Sequence, residues 1–181
     1  MALSLKIAET ESEFEQIYQL NYETFVEEIP QHPSNIQKQL RDKFHDKNQY
    51  IIALEDGELV AMVAVNDERP FSLDNKITNL ESFLPEFHKP LEIRLLAIKQ
   101  GYRGGRVLFL LIRKMAEWSY DKHYDIAMIS GTTLQQKLYT RLGFQVFHPL
   151  LGSEEAGFYP MYLSVKAFWE TQQHLVITPQ S

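Results

Sequence analysis

A chain of 181 residues, 44% hydrophobic and 23% charged, fits one compact domain, residues 1–181, with a sizeable core. It has no cysteine, which excludes structural disulfides, thiolate metal sites and a cysteine nucleophile, and which suits a reducing cytoplasm, the expected location. A net charge of −6 argues against a general nucleic-acid binder, so an anionic ligand needs a locally basic site.

The opening "MALSLKIAETESEFE" lacks an apolar stretch and turns acidic at once, so no signal peptide is expected. Leu3 to Ala8 alternates and predicts a short strand. From Thr10 the period becomes helical, through Phe14, Ile17, Tyr18, Tyr22, Phe25 and Ile29. Thr10 followed by Glu13 matches a capping box, and Pro30 and Pro33 stop the helix. A polar helix is expected from Ser34 to about His45.

"QYIIALEDGELVAMVAVN" predicts a hairpin, with Tyr50 to Leu54 and Glu58 to Asn66 antiparallel around the turn "EDG". Asp67 to Pro90 carries three prolines and no sustained period, so it reads as a long connection of the kind that is often functional. Leu91 to Ile98 is nearly apolar and predicts a central strand.

"KQGYRGGRVLFLLIRKM" then turns through glycines and arginines into a helix, with Val107, Leu108, Leu111, Met115 and Trp118 on one face. Its apolar run, Val107 to Ile112, has six residues, against the ~20 that a membrane span needs. Tyr124 to Ser130 is a buried strand. "TTLQQKLYTRLGF" is a short helix, capped by Thr132 or Thr133 and stopped by Gly143. Phe144 to Phe147 and Met161 to Val165 complete the strands. The order β-α-α-β-β-β-α-β-α-β-β gives a mixed α/β sheet flanked by helices.

Three features carry chemistry. Lys99 to Lys114 holds five Lys or Arg residues and no acid. Unpaired N–H groups and the dipole of a helix start favour an anion there, and Gly101, Gly104 and Gly105 let a phosphate approach the backbone. On the strand before it, period two puts Glu92 and Arg94 on one face, as a structural or a catalytic ion pair. Tyr139 lies near the end of the short helix in "KLYTRLGF". The six histidines show no metal-ligand spacing, so no metal is expected and each is assigned a solvated or capping role; His88, before Glu92, is the one to test.

Together these features resemble the GNAT acyltransferase superfamily. "LYTRLGF" is similar to its "lYeklGF" signature. "YRGGRVLFLLI" is similar to its "yRgkGiGkaLL" turn, with Arg103 and Gly104 aligned and the later glycines replaced by Arg106 and Leu108 or, with a one-residue deletion, only Gly105 kept. "NYETFVEE" and "EIRLLAI" resemble the corresponding helix and the E-x-x-R strand of acyl-homoserine-lactone synthases and N-acyl amino acid synthases.

The resemblance implies a central, mostly antiparallel mixed sheet of seven strands, splayed between strands 4 and 5, with helices on both faces. It implies N-acyl transfer from acyl-CoA, acetyl-CoA or acyl carrier protein to an amine of a small molecule or amino acid. By the same resemblance Glu92 is the expected base and Tyr139 the expected acid. Leu96, Ala97, Ile98, Arg103, Gly104, Gly105, Arg106, Val107 and Thr132 would meet the donor, and Tyr22, Phe25 and Arg94 the acceptor. A non-catalytic donor-binding module of the same fold is the alternative.

Overall fold

The computed structural model describes residues 2–177, with side chains through Thr171. One seven-stranded sheet runs in the order β1-β2-β3-β4-β5-β7-β6, and contacts cluster into two units, Met1–Val65 with Leu95–Met115 and Asn66–Arg94 with Ala116–Ser181. His174 lies outside the described side chains.

The first unit begins with β1 (Leu3–Ile7), antiparallel to β2 (Gln49–Glu55), which pairs antiparallel with β3 (Glu58–Asn66). Asp56 and Gly57 make the two-residue hairpin turn, both at positive φ (51° and 84°), the geometry that matches strand twist. Helix α1 (Glu11–Tyr22) continues as a π-helical turn, Glu23–Glu28. It packs Ile17 and Leu20 against Tyr50, Ile52, Leu59, Met62 and Ala97, with Phe14, Tyr18, Phe25 and Leu95 at the margin of the cluster.

The capping box forms as the sequence predicts. Glu13 N donates to Thr10 Oγ1 at 3.2 Å, and Glu13 Oε2 accepts from Thr10 N at 3.0 Å and Glu9 N at 2.7 Å. Lys6 Nζ adds 2.9 Å to Glu13 Oε1. Burial would raise the Glu13 carboxyl, but the bonds from Glu9, Lys6 and Thr10 outweigh it and hold the pKa at about 2. A folded pKa below the unfolded one stabilises above pH ~4.5 and is lost as the pH falls toward 2. Glu13→Gln, with no proton to gain, is expected to melt less steeply with acid across that window, and to lose about 1 kcal/mol of cap stability at pH 7. Melting temperatures at pH 7, 4 and 2 check this.

The helix expected over Ser34 to His45 does not form; residues 31–48 are irregular and turn-rich. They are pinned point by point instead: Leu40 N donates to Tyr18 O at 2.9 Å, Asn35 exchanges bonds with Gln39, and Lys38 has φ 52°. A polar stretch with no apolar face gains nothing from helix packing. His45 is not solvated either. Its ring nitrogens meet Tyr18 OH at 3.1 Å and Tyr50 OH at 3.0 Å, and burial, then the Arg41 charge, holds its pKa below the ordinary value.

In the second unit β5 (Ile126–Thr132) pairs antiparallel with β7 (Phe158–Ser164), which also pairs with the two-residue β6 (Gln145–Val146). β4 (Pro90–Ile98) passes from this unit into the first, and its parallel ladder with β5 registers Pro90, Leu91 and Glu92 opposite Ile126, Ala127 and Met128. Residues 67–89 form no strand, yet bury Phe71, Leu73, Ile77 and Leu80 against Met128. Asp125 fixes the end of this connection, accepting from Lys89 N at 3.0 Å and His88 N at 2.5 Å. Helix α2 (Arg106–Asp121) follows the glycine turn. Helix α3 (Gln136–Arg141) starts later than expected: Gln135, not Thr132 or Thr133, is its N-cap and makes no side-chain cap bond. A further helix, α4 (Val165–Ile177), begins where the last strand is expected to end.

Candidate active site

The second half of β4 and the turn after it belong to the first unit. Leu95 sits at φ 57° in the middle of the strand, a conformation that a branched apolar residue adopts only under constraint. Leu95 and Phe25 pack at the margin of the cluster that contains Ala97. Lys99 N donates to Val60 O at 2.9 Å, and a 3-10 turn, Gln100–Tyr102, leads into the glycines.

Gly104 needs its lack of Cβ for its φ of 73°. Gly101 has no such need: a Cβ there would meet nothing within 4 Å, and at Gly105 only Tyr102 O at 3.7 Å. Packing within the chain therefore leaves Gly101 and Gly105 unexplained. Beyond them α2 starts at Arg106 with no acid in its first turn. Its leading N–H groups lack intrahelical partners and its dipole favours an anion.

Two neighbours in this turn are held by carboxylates. Tyr102 OH donates to Glu55 Oε2, a bond that raises the phenol pKa. Arg103, expected to meet the donor, is bonded within the chain. Its Nε donates to Ile98 O at 2.8 Å and its Nη2 reaches Glu28 Oε1 at 2.8 Å and Oε2 at 2.7 Å. Tyr22, expected at the acceptor, is 4% exposed, and its hydroxyl exchanges 3.4 Å bonds with the Asn35 backbone. Its neighbour Phe25 is half-buried.

Glu92 and Arg94 lie on β4 in the second unit. Arg94 is half-buried and Glu92 is 1% exposed. The Glu92 carboxylate accepts from Ser72 N at 2.9 Å on one oxygen, and from Ser72 Oγ at 2.7 Å and Leu73 N at 3.1 Å on the other. One oxygen has both lone-pair directions filled. These bonds make Glu92 an anchor for the start of the 67–90 connection. Sequence shows a charge in an apolar strand but not the backbone donors that receive it.

Tyr139, on α3, donates to Gln135 Oε1 at 3.0 Å, and burial pushes its phenol above the ordinary value. Thr132 closes β5, half-buried, with its carbonyl accepting from Gln135 N at 3.0 Å. Gly131, which sequence reasoning missed, makes room for the tyrosine. A Cβ there would lie 2.7 Å from Met161 Sδ and 3.2 Å from Tyr139 Cδ2. A lone glycine ending an apolar strand is the available signal. His88 is 86% exposed, 3.7 Å from Asp125. His148 bonds Pro149 O and meets the Phe83 ring edge-on. Among the described residues no three His, Asp or Glu are grouped to hold a metal, and no helix is long and apolar enough to cross a membrane.

The fold is shared with solved structures of low sequence identity. A CoA-dependent acyl-homoserine lactone synthase, BjaI, solved with SAM and isopentyl-CoA, matches with TM-score 0.79 at 17% identity, covering 94% of this chain and 84% of that one. The acyl-homoserine lactone synthase LasI matches with TM-score 0.72 at 16% identity, covering 91% and 90%. ElaA from Escherichia coli matches with TM-score 0.63 at 16% identity, covering 89% and 99%. No curated protein sequence matches the chain. At such identities these likenesses establish the fold alone. The family model described as Acetyltransferase (GNAT) family, however, matches residues 14–144, from α1 through the "LYTRLGF" segment. With strand, glycine turn and helix in that family's order over well over half its length, the chain belongs to the GNAT acetyltransferase family.

Proposed function

We propose that this protein is an N-acyltransferase that moves an acyl group from a CoA thioester to the amine of an amino-acid-like small molecule. The observation that carries this reading is the turn Gly101–Gly105. Two of its glycines answer to no internal contact, and it opens onto the start of a long helix with no acid in its first turn. Such a turn suits the phosphates of a donor, which approach backbone N–H groups closely.

The amine, unprotonated, attacks the thioester carbonyl carbon, the C–S bond breaks, and the proton the nitrogen sheds passes through water to restore Tyr139, leaving an amide and a free thiol. Backbone N–H groups of Leu96 to Ile98 stabilise the charge that builds on the carbonyl oxygen. Tyr139, which its burial keeps protonated, gives the departing thiolate its proton. Glu92 acts through the residues it fixes rather than on the amine. Similarity to a synthase solved with SAM, and the "NYETFVEE" segment, favour an α-amino acid or a derivative such as SAM as acceptor.

Acetyl-CoA and longer acyl-CoAs, each supplied with SAM or with free amino acids, test the reading through thiol release. At least one pair is expected to release thiol tenfold or more above donor alone. Release equal to donor hydrolysis with every pair, alongside measurable CoA binding, would instead mark a donor-binding module. The same assay with acyl carrier protein thioesters distinguishes the two donors.

A further inference from the structure

Arg103 already holds an anion. Both Glu28 oxygens sit on its Nη2, at 2.8 and 2.7 Å, and the two side chains are 40% and 41% exposed. Exposed pairs of this kind are weak, and phosphate oxygens suit a guanidinium at least as well as a carboxylate does.

Glu28 ends the π-helical continuation of α1. Asn21 lies in the last turn of α1, and Thr24 and Glu28 lie four apart in the π-helical turn, where Ile29 N donates to Thr24 O at 2.9 Å. Phe25 packs at the margin of the cluster that holds Leu95 and Ala97 of β4. Asn21 is 0% and Thr24 6% exposed, yet Asn21 Oδ1 and Thr24 Oγ1 are sealed from solvent with no hydrogen-bond partner. Leaving buried acceptors unpaired is costly, and π-helical turns are rare and tend to occur at functional positions. The end of this unfavourable segment is tied to the glycine turn by the Glu28–Arg103 pair.

We propose that Glu28 is an internal competitor for the donor's phosphate at Arg103. Its displacement frees the π-helical turn and opens Asn21 Oδ1 and Thr24 Oγ1 to the N–H groups of the acceptor amine. The inference rests on the acyl-donor reading above and adds what that reading lacks, a residue that couples donor to acceptor. By linkage the coupling is reciprocal: an amine held by Asn21 and Thr24 tightens the donor by the factor with which the donor tightens the amine.

Calorimetry at low salt with free CoA, and separately with inorganic pyrophosphate, tests it on wild type, Glu28→Gln, Glu28→Ala and Arg103→Ala. Amide exchange over residues 21–40 is followed in parallel. Removing the carboxylate is expected to tighten both ligands about 3- to 5-fold, and Arg103→Ala to weaken both. Exchange over 21–40 is expected to rise in Glu28→Gln and in CoA-loaded wild type. Equal pyrophosphate affinity in wild type and both Glu28 variants would overturn the competition, and unchanged exchange would overturn the coupling. Tighter pyrophosphate binding without CoA binding to any variant would sink the acyl-donor reading while the competition stands.

Discussion

Glu92→Gln is expected to lower stability by about 3 kcal/mol, a fall in melting temperature of roughly 10 °C for a chain of this size. The native carboxylate accepts three hydrogen bonds at a position 1% exposed. A carboxamide has one acceptor oxygen, so its NH2 must face a donor, Ser72 N or the Ser72 Oγ–Leu73 N pair. Ser72→Ala removes only the hydroxyl and should cost about half as much, with turnover largely kept. Turnover in Glu92→Gln should fall together with the order of the 67–90 connection. Calorimetric melts of the two variants beside kcat check this. A Glu92→Gln protein that melts like wild type but has lost its kcat would restore Glu92 as a base acting on the amine.

Tyr139→Phe is expected to lower kcat about 100-fold with the donor KM unchanged, the size of a lost general acid. A large loss of kcat could also follow from a displaced ring, so the leaving group is the informative variable. A thioester of an aryl thiol, whose thiolate leaves without a proton, should recover most of the rate in Tyr139→Phe. Equal losses with alkyl and aryl thioesters would remove the acid role. Gly131→Ala supplies the complementary control, because it crowds the Tyr139 ring through Cδ2 while keeping the hydroxyl.

What the sequence made legible was local. The capping box at Thr10 and Glu13 and the hairpin turn at Asp56 and Gly57 are set by neighbours within a few residues, and both form as expected. The strand, glycine turn and helix after Leu91 were legible for the same reason. The failures were tertiary. Ser34 to His45 has helix-forming composition, but its bonds go to Tyr18, Tyr22 and Tyr50 on other elements. Glu92 meets donors 19 and 20 residues away, and Arg103 an acid 75 residues away. Charges in a pattern reveal that partners are needed without naming them, which is why the Ser72 and Leu73 donors of Glu92 and the Glu28 partner of Arg103 come only from the structure.

The placement of β7 bears on the path to this structure. β7 follows β6 in the chain but lies between β5 and β6 in the sheet. The meander of β1, β2 and β3 can close once Asn66 is made, through contacts largely local in sequence after β1. β5 and β6 have no common neighbour until Phe158–Ser164 arrives between them. β5 and β7 partners lie 26 to 38 residues apart, fewer than the 44 to 52 between β1 and β2, so order of synthesis rather than loop length makes this pairing late. The region around β5 is therefore the last to acquire its native partners during synthesis, with Ile126 to Ile129 unpaired on one side until then, and it is where a chaperone would have most to do.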